Sequence, residues 1–200
     1  QHSIQSMLLH RMFSSAGLSP GFFDDTDANL WFEAVPPGLM EEMCACDNDA
    51  DIAGFAVAEP YAAKSIRSGE TQRICSTSDL WQDHPCCVFA VKQKIIQQYP
   101  GNIKTLLHLF IQAAENLTGE PDNEIIQAAA QFLETERPGL DQIIQSSGIR
   151  FDPELLTPDA EMLELIQDYM VGVMNCLDRV EIARLVDPQM ISELLEDASL

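Results

Sequence analysis

The sequence predicts an α/β fold: a small mixed sheet with helices on both faces, followed by an all-helical C-terminal region. Short apolar runs of strand type alternate with helical patterns as far as residue 91, and such alternation is typical of a parallel or mixed sheet. Beyond residue 91 the apolar patterns have helical spacing. Apolar residues make up 46% of the 200 residues, so the chain can bury a core.

Residues 3–16 are predicted to form the first helix. Ser3 suits the N-cap, since its hydroxyl can accept a hydrogen bond from the first turn, and Gly17 suits the helix end. Residues 18–29 are predicted to form a loop, because they hold Pro20, Gly21 and an acidic run. Strands are then predicted at 30–35, 52–57, 71–76 and 86–91, helices at 38–46, 60–69, 92–99 and 102–118, and a loop at 77–85.

The C-terminal region is predicted to be almost entirely helical. The strongest pattern is that of 102–118, where Ile103, Leu107, Phe110 and Ile111 recur at spacings of three and four. Further helices are predicted at 124–134, 140–146, 159–177 and 186–195, with an irregular stretch at 151–158.

The corner at Ala58, Glu59 and Pro60 is the first candidate site. It joins the predicted strand 52–57 to a predicted helix, and open α/β sheets place ligands where a strand ends and a helix begins. Pro60 suits the first turn because no N–H is needed there, and Glu59 would lie beside the positive end of the helix. Glu59 is therefore either a ligand-binding carboxylate or a charge that only stabilises the helix terminus.

The excess of acidic residues limits the kinds of partner that the protein can bind. The chain has 11 lysines and arginines against 32 acidic residues and a net charge of −21, which argues against nucleic acid and anionic membranes. No apolar run of about 18 residues predicts a membrane span, and no signal-peptide pattern is visible.

Six cysteines are too few for a disulfide scaffold of this length. Cys86 and Cys87 fall in the predicted strand 86–91, where neighbours point to opposite faces, so joint binding of one metal is not expected. A buried thiol that packs as a small apolar group is the favoured interpretation, and neither a metal nor a cofactor is predicted. Other groups of metal-ligating type are Cys44, Cys46, Asp47 and His84, whose spacing is not that of a zinc finger.

Three stretches carry motifs in a specific order. They are SIQSMLLHRMFSSAG at 3–17, VPPGLMEEMCACDNDADIAGFAVAEPYAAKSI at 35–66 and TSDLWQDHPCCVFAVKQKIIQQYP at 77–100. Their features are a serine before a leucine-rich helix that ends in glycine, a Val-Pro-Pro strand end with an Ala-Glu-Pro-Tyr corner, and a Trp and His-Pro segment. Together they resemble the periplasmic substrate-binding proteins of the nitrate, bicarbonate, sulfonate and taurine group of ABC transporters.

The resemblance implies a partial type II periplasmic-binding fold, in which the N-terminal part of the family's fold has no counterpart. Residues 1–75 would form the second, ligand-binding lobe without its first strand, 76–118 would return into the first lobe, and 119–200 would form a helical region. No catalytic residue is implied. The implied ligand-binding residues are Ser3, Gln5, Ala58, Glu59, Pro60, Tyr61, Cys86 and Cys87.

Some of these residues depart from the family pattern. Gln5 stands where the family has a nitrate-contacting histidine, Ala58 replaces a glycine and Tyr61 replaces a tryptophan. Relatives have a lysine or glutamate that tunes ligand binding, and its position in the family pattern falls near Cys86 or Cys87 of this sequence. Because a glutamine keeps a donor but has no titratable group, the ligand identity stays open.

The resemblance implies a protein that is not an enzyme and is exported to the periplasm or cell envelope. It would be the solute-binding component of an ABC importer, capturing a small anion or organic acid between two lobes and passing it to a membrane permease. One alternative is an enzyme on the same scaffold, related to thiamin pyrimidine precursor synthases with their cysteine-rich iron-binding motif. Stoichiometric iron in the purified protein would favour that alternative. A third hypothesis is a sensor domain that takes no part in transport.

Overall fold

The computed structural model describes residues 3–22, 25–45, 52–69, 71–118, 122–146, 150–175 and 178–198. These residues form two short strands, β1 (Pro20–Phe22) and β2 (Leu30–Phe32), and two 3-10 turns, Pro37–Leu39 and Pro153–Leu156. They also form the α-helices α1 (Ile4–Ser15), α2 (Met40–Ala45), α3 (Tyr61–Ser68), α4 (Thr77–Leu80), α5 (Gln93–Gln98), α6 (Pro100–Leu117), α7 (Asn123–Phe132), α8 (Arg137–Ser146), α9 (Ala160–Gly172), α10 (Ile182–Leu185) and α11 (Gln189–Ala198).

The chain divides into two compact units. The first comprises residues 1–84 and 130–148, and the second comprises residues 85–129 and 149–200. The division into segments 1–75, 76–118 and 119–200 that the resemblance implies stays a prediction.

Helix α1 organises the start of the first unit. As predicted, Ser3 is its N-cap: the Ser3 hydroxyl accepts a hydrogen bond from the N–H of Ser6, and the Ser6 hydroxyl accepts one from the N–H of Ser3. Met7 and Leu8 are only 2% and 1% exposed, so this helix supplies core side chains. Gly17, with φ of +85°, follows the helix in the left-handed conformation that glycine adopts without strain.

Strands β1 and β2 form a parallel pair beside α1. Pro20 lies opposite Leu30 and Phe22 opposite Phe32, and the rings of Phe22 and Phe32 meet edge to face with centroids 6.2 Å apart. Gly21 of β1 lets Ala28 pack closely against the strand, because a Cβ at Gly21 would lie 2.8 Å from the Cβ of Ala28. The predicted loop 18–29 was therefore wrong in part, since it contains β1.

The predicted mixed sheet of four strands was wrong. Only a parallel pair occurs in the described ranges, the predicted strand 30–35 is shortened to β2, and no strand is found at 52–57, 71–76 or 86–91. A strand needs a partner for its N–H and C=O groups as well as a buried face. Two of these apolar runs instead expose large side chains, with Ile74 89% and Val88 62% exposed.

Helix α6 is the centre of the second unit. Its Ile111 is 1% exposed, and α5, α11 and the turn Pro153–Leu156 pack against the helix. The Thr118 hydroxyl, just after α6, donates to the carbonyl of Phe151 at 2.8 Å. Helix α9 begins at a side-chain cap, in which Asp159 accepts from the N–H of Met162 at 3.0 Å.

Most helix predictions were confirmed, with shifted ends. The predicted helices 3–16, 60–69, 102–118 and 124–134 correspond to α1, α3, α6 and α7, and 159–177 is confirmed for α9 up to Gly172. The short helices α4 and α10 were not predicted. Within the described parts of the chain, no helix combines the length and the hydropathy that a membrane crossing requires.

Candidate functional site

The corner at Ala58–Tyr61 leads directly into α3, although residues 52–57 before it do not form the predicted strand. Pro60 is the N-cap residue of α3 and follows a cis peptide bond, and Tyr61 is the first helical residue. Ala58 is exposed and Tyr61 is 42% exposed, so two of the predicted ligand-binding residues face solvent.

Glu59 is held on both carboxylate oxygens. Oε2 accepts a hydrogen bond from the N–H of Ala63 at 2.8 Å, and Oε1 lies 2.8 Å from Nη2 of Arg73. Its side chain is 14% exposed, against 30% for that of Arg73. The carboxylate therefore acts as an anion at the N-terminus of α3, where the helix dipole favours negative charge.

Arg73 completes this arrangement and was missed by sequence reasoning. It lies 14 positions after Glu59, in a segment that was predicted to be a strand. The one signal for Arg73 in the sequence is that basic residues are scarce, since lysine and arginine total 11 in a chain of net charge −21. A basic residue near an acidic corner in such a chain is a natural candidate for charge compensation.

Ser3 and Gln5 lie on the first turn of α1, as predicted. The reciprocal Ser3–Ser6 hydrogen bonds of 2.9 and 3.2 Å engage the first donors of this helix. Gln5 is half-buried. Helix α1 packs against β1 and α4, whereas α3 packs against α8.

A hollow of about 290 Å³ opens where α3 and α8 pack together. It is lined by Arg67, Glu136, Pro138 and Gly139, and none of the predicted site residues belongs to this lining. Gly139 makes room for Arg67, because a Cβ there would overlap the guanidinium Nη1.

Cys86 and Cys87 belong to the second unit and are exposed. The prediction that they point to opposite faces of a strand was wrong: the segment is not a strand, and the Cys87 thiol donates to the Cys86 sulfur at 3.8 Å. Burial, followed by the charge and the hydrogen bond of Cys87, raises the pKa of the Cys86 thiol.

The other predicted metal-ligating groups are not assembled in the described residues. No group of three or more His, Cys, Asp or Glu side chains there could hold a metal ion. Nδ1 of His84 lies 2.7 Å from the carbonyl oxygen of Trp81, and burial raises the pKa of the Cys44 thiol. Cys46, Asp47 and Cys176 lie outside the described residues.

The known proteins that are similar to this chain are named for the transport or binding of nitrate or bicarbonate. The model of the NMT1-like family matches residues 1–134. The nitrate import ATP-binding protein NrtC of Synechocystis sp. is 26% identical over 186 residues, which cover 90% of this chain and 25% of that protein. The nitrate/nitrite binding protein NrtA of Nostoc sp. is 28% identical over 102 residues, which cover 51% of this chain and 21% of that protein.

A third relative is the bicarbonate transport ATP-binding protein CmpC of Synechocystis sp., 24% identical over 137 residues that cover 66% of this chain and 19% of that protein. The chain thus spans a quarter or less of the length of these three relatives. No solved structure matches the chain.

Proposed function

The chain belongs to the NMT1-like family, and from this premise we propose that it is the solute-binding component of an ABC importer. It captures a small anion or organic acid of the nitrate, sulfonate or bicarbonate type between two lobes and delivers it to a membrane permease. Capture by lobe closure requires no chemical step, which agrees with relatives named as components of transport systems. We further propose a periplasmic or cell-envelope location.

The observation that carries the proposal is the family match over residues 1–134, since this range contains every predicted ligand-binding residue. The match to a protein named as a nitrate/nitrite binding protein supports an anionic solute. The ligand-binding residues we propose are Ser3, Gln5, Ala58, Glu59, Pro60, Tyr61, Cys86 and Cys87. Of these, Glu59 belongs to the site as the carboxylate that the solute displaces, not as a contact of the bound solute.

The corner of α3 supplies groups that suit an anion. The N–H groups of Tyr61 and Ala62 belong to the first helical turn, where no intrahelical acceptor exists. The guanidinium of Arg73 is already paired with a carboxylate, that of Glu59, at 2.8 Å. We propose that the solute takes the place of the Glu59 carboxylate at Arg73 and at the N-terminus of α3.

A thermal-shift panel with nitrate, bicarbonate, a small sulfonate and small carboxylates tests this proposal. At least one of these anions should raise Tm in a concentration-dependent manner, because a ligand that binds only the folded state stabilises it. Arg73→Met should abolish the shift, whereas Glu59→Gln should enlarge it by removing the competing negative charge.

Arg184→Met is the matched control for loss of one positive charge. Arg184 is exposed and pairs with Glu181 at 2.7 Å in the other unit, so the variant should keep the shift. If no anion changes Tm, the proposed solute class is wrong. If an anion binds equally to the Arg73→Met variant, the proposed place of binding is wrong.

A second candidate is a solute-sensing module that regulates an ATP-binding subunit. The match to NrtC covers 90% of this chain but only 25% of that protein. The present sequence contains no G-x-x-x-x-G-K-[ST] motif, so the similarity does not include a phosphate-binding loop of that kind. A solute effect on ATP hydrolysis by a co-purified ATP-binding partner would favour sensing, and solute uptake without such an effect would exclude it.

A further inference from the structure

The exposed segment that follows Pro85 presents two thiols side by side. Cys86 and Cys87 are both exposed, and neither is in a disulfide. Two residues further on, the ring of Phe89 packs edge to face on Phe110 of α6, with centroids 5.4 Å apart. This contact ties the segment to α6, while residues Cys86 and Cys87 themselves are exposed.

The separation of the two sulfurs suits a bridging atom. The Sγ atoms lie 3.8 Å apart, so an atom about 2.3 Å from each, a usual metal–thiolate distance, would subtend an S–M–S angle of about 110°. That angle matches a three- or four-coordinate centre. A direct disulfide is less suited, because the Cα atoms of neighbouring residues, about 3.8 Å apart, are closer than the 4.4–6.8 Å usual for a disulfide.

Thiol sulfur is a soft donor that prefers soft, thiophilic centres. Since no third metal-ligating side chain joins the pair among the described residues, a suitable centre must bring its own remaining ligand. We propose that Cys86 and Cys87 form a bidentate dithiol site for a soft thiophilic centre, either a monosubstituted trivalent arsenical or a Cu(I) ion.

The arsenical reaction balances without an oxidant or reductant. The two S–H bonds and the As=O bond break, two As–S bonds form, and both protons leave with the oxygen as one water molecule. Arsenic stays trivalent throughout. With Cu(I), the two thiol protons are released to solvent.

Phenylarsine oxide is the probe, and the full chain is analysed by intact mass spectrometry after removal of excess reagent. The wild type should retain one phenylarsenic group that resists a monothiol but is released by a small dithiol. Cys86→Ser and Cys87→Ser should each lose stable uptake. Cys75→Ser and Cys44→Ser are the matched controls and should retain it.

A variant with Cys44, Cys46, Cys75 and Cys176 replaced by serine isolates the pair and should still bind one phenylarsenic group. Competition with a colorimetric Cu(I) chelator forms the second arm, in which the wild type should withdraw one Cu(I) more than Cys86→Ser/Cys87→Ser. Absence of stable arsenical uptake by the wild type, or uptake that survives the double substitution, overturns the dithiol site. Equal Cu(I) binding by both proteins overturns the Cu(I) assignment. A native thermal melt of each serine variant shows that loss of uptake is not loss of folding.

Discussion

At the residue scale, Glu59 links the helix terminus of α3 to Arg73. We expect Glu59→Ala to lower the free energy of unfolding by about 1–3 kcal/mol, because it removes a side-chain cap of α3 and the ion pair between Glu59 and Arg73. Urea unfolding followed by circular dichroism measures this change. Glu181→Ala is the control, since its pair with Arg184 is largely exposed and should contribute less than about 1 kcal/mol. Equal effects of the two variants would contradict the capping role.

The contacts of Glu59 show what the sequence could and could not predict about single residues. The sequence left open whether Glu59 binds a ligand or stabilises the start of α3, and the structure shows the hydrogen bond to Ala63 that the second interpretation requires. Arg73 was not predicted because a contact over 14 positions depends on how the chain turns after α3. The role of Glu59 in solute binding stays a prediction.

At the element scale, Lys104 of α6 and Glu193 of α11 connect two helices that pack together. Nζ of Lys104 lies 3.0 Å from Glu193, and Nε2 of Gln189 donates to the same carboxylate at 2.9 Å. These hydrogen bonds, first that of Lys104, lower the pKa of Glu193.

The lowered pKa gives a definite pH dependence. Because the folded-state pKa lies below the unfolded one, the stabilisation is complete above the ordinary glutamate pKa and is lost as the pH falls through the lowered value. We expect Lys104→Met to move the Glu193 titration to higher pH, measured by NMR of the side-chain carboxyl carbon. Arg184→Met should leave it unchanged, and an unmoved titration in Lys104→Met would refute the assigned cause.

Helices and strands differed in how well the sequence predicted them. The apolar spacing of residues 102–118 predicted α6, because its buried Ile111 and Ala114 follow from local periodicity. The apolar run 86–91 met the local criteria for a strand equally well. It has no ladder partner in the described part of the chain, however, and pairing with a distant segment is a property that no local pattern contains.

At the scale of the whole molecule, the net charge of −21 should destabilise the folded chain through self-repulsion. Adding NaCl shortens the screening length from about 30 Å at 0.01 M to about 3 Å at 1 M. We therefore expect Tm to rise by several degrees, as each 1 kcal/mol shifts Tm by about 2–4 °C in a chain of this size. Choline chloride should act similarly, and a Tm that falls with either salt would contradict the prediction.

The family is a property of the whole chain that the sequence predicted correctly. The three ordered motifs pointed to the nitrate, sulfonate and bicarbonate group of solute-binding proteins, and the match of the NMT1-like family to residues 1–134 confirmed this membership. The partial type II fold stays a prediction. What the structure shows is a helix-rich α/β chain with one parallel pair of strands in its described part.

The sequence by itself determined the main helices, the Ser3 cap, the glycine that ends α1 and the family, because each depends on residues close together in the chain or on motif order. Only the tertiary structure decided which apolar runs pair as strands and that Arg73 forms an ion pair with Glu59. It also decided that the Sγ atoms of Cys86 and Cys87 lie 3.8 Å apart and do not point to opposite faces of a strand. These features depend on backbone paths and on partners distant in sequence. The residue types were visible in the sequence, but their relative positions were not.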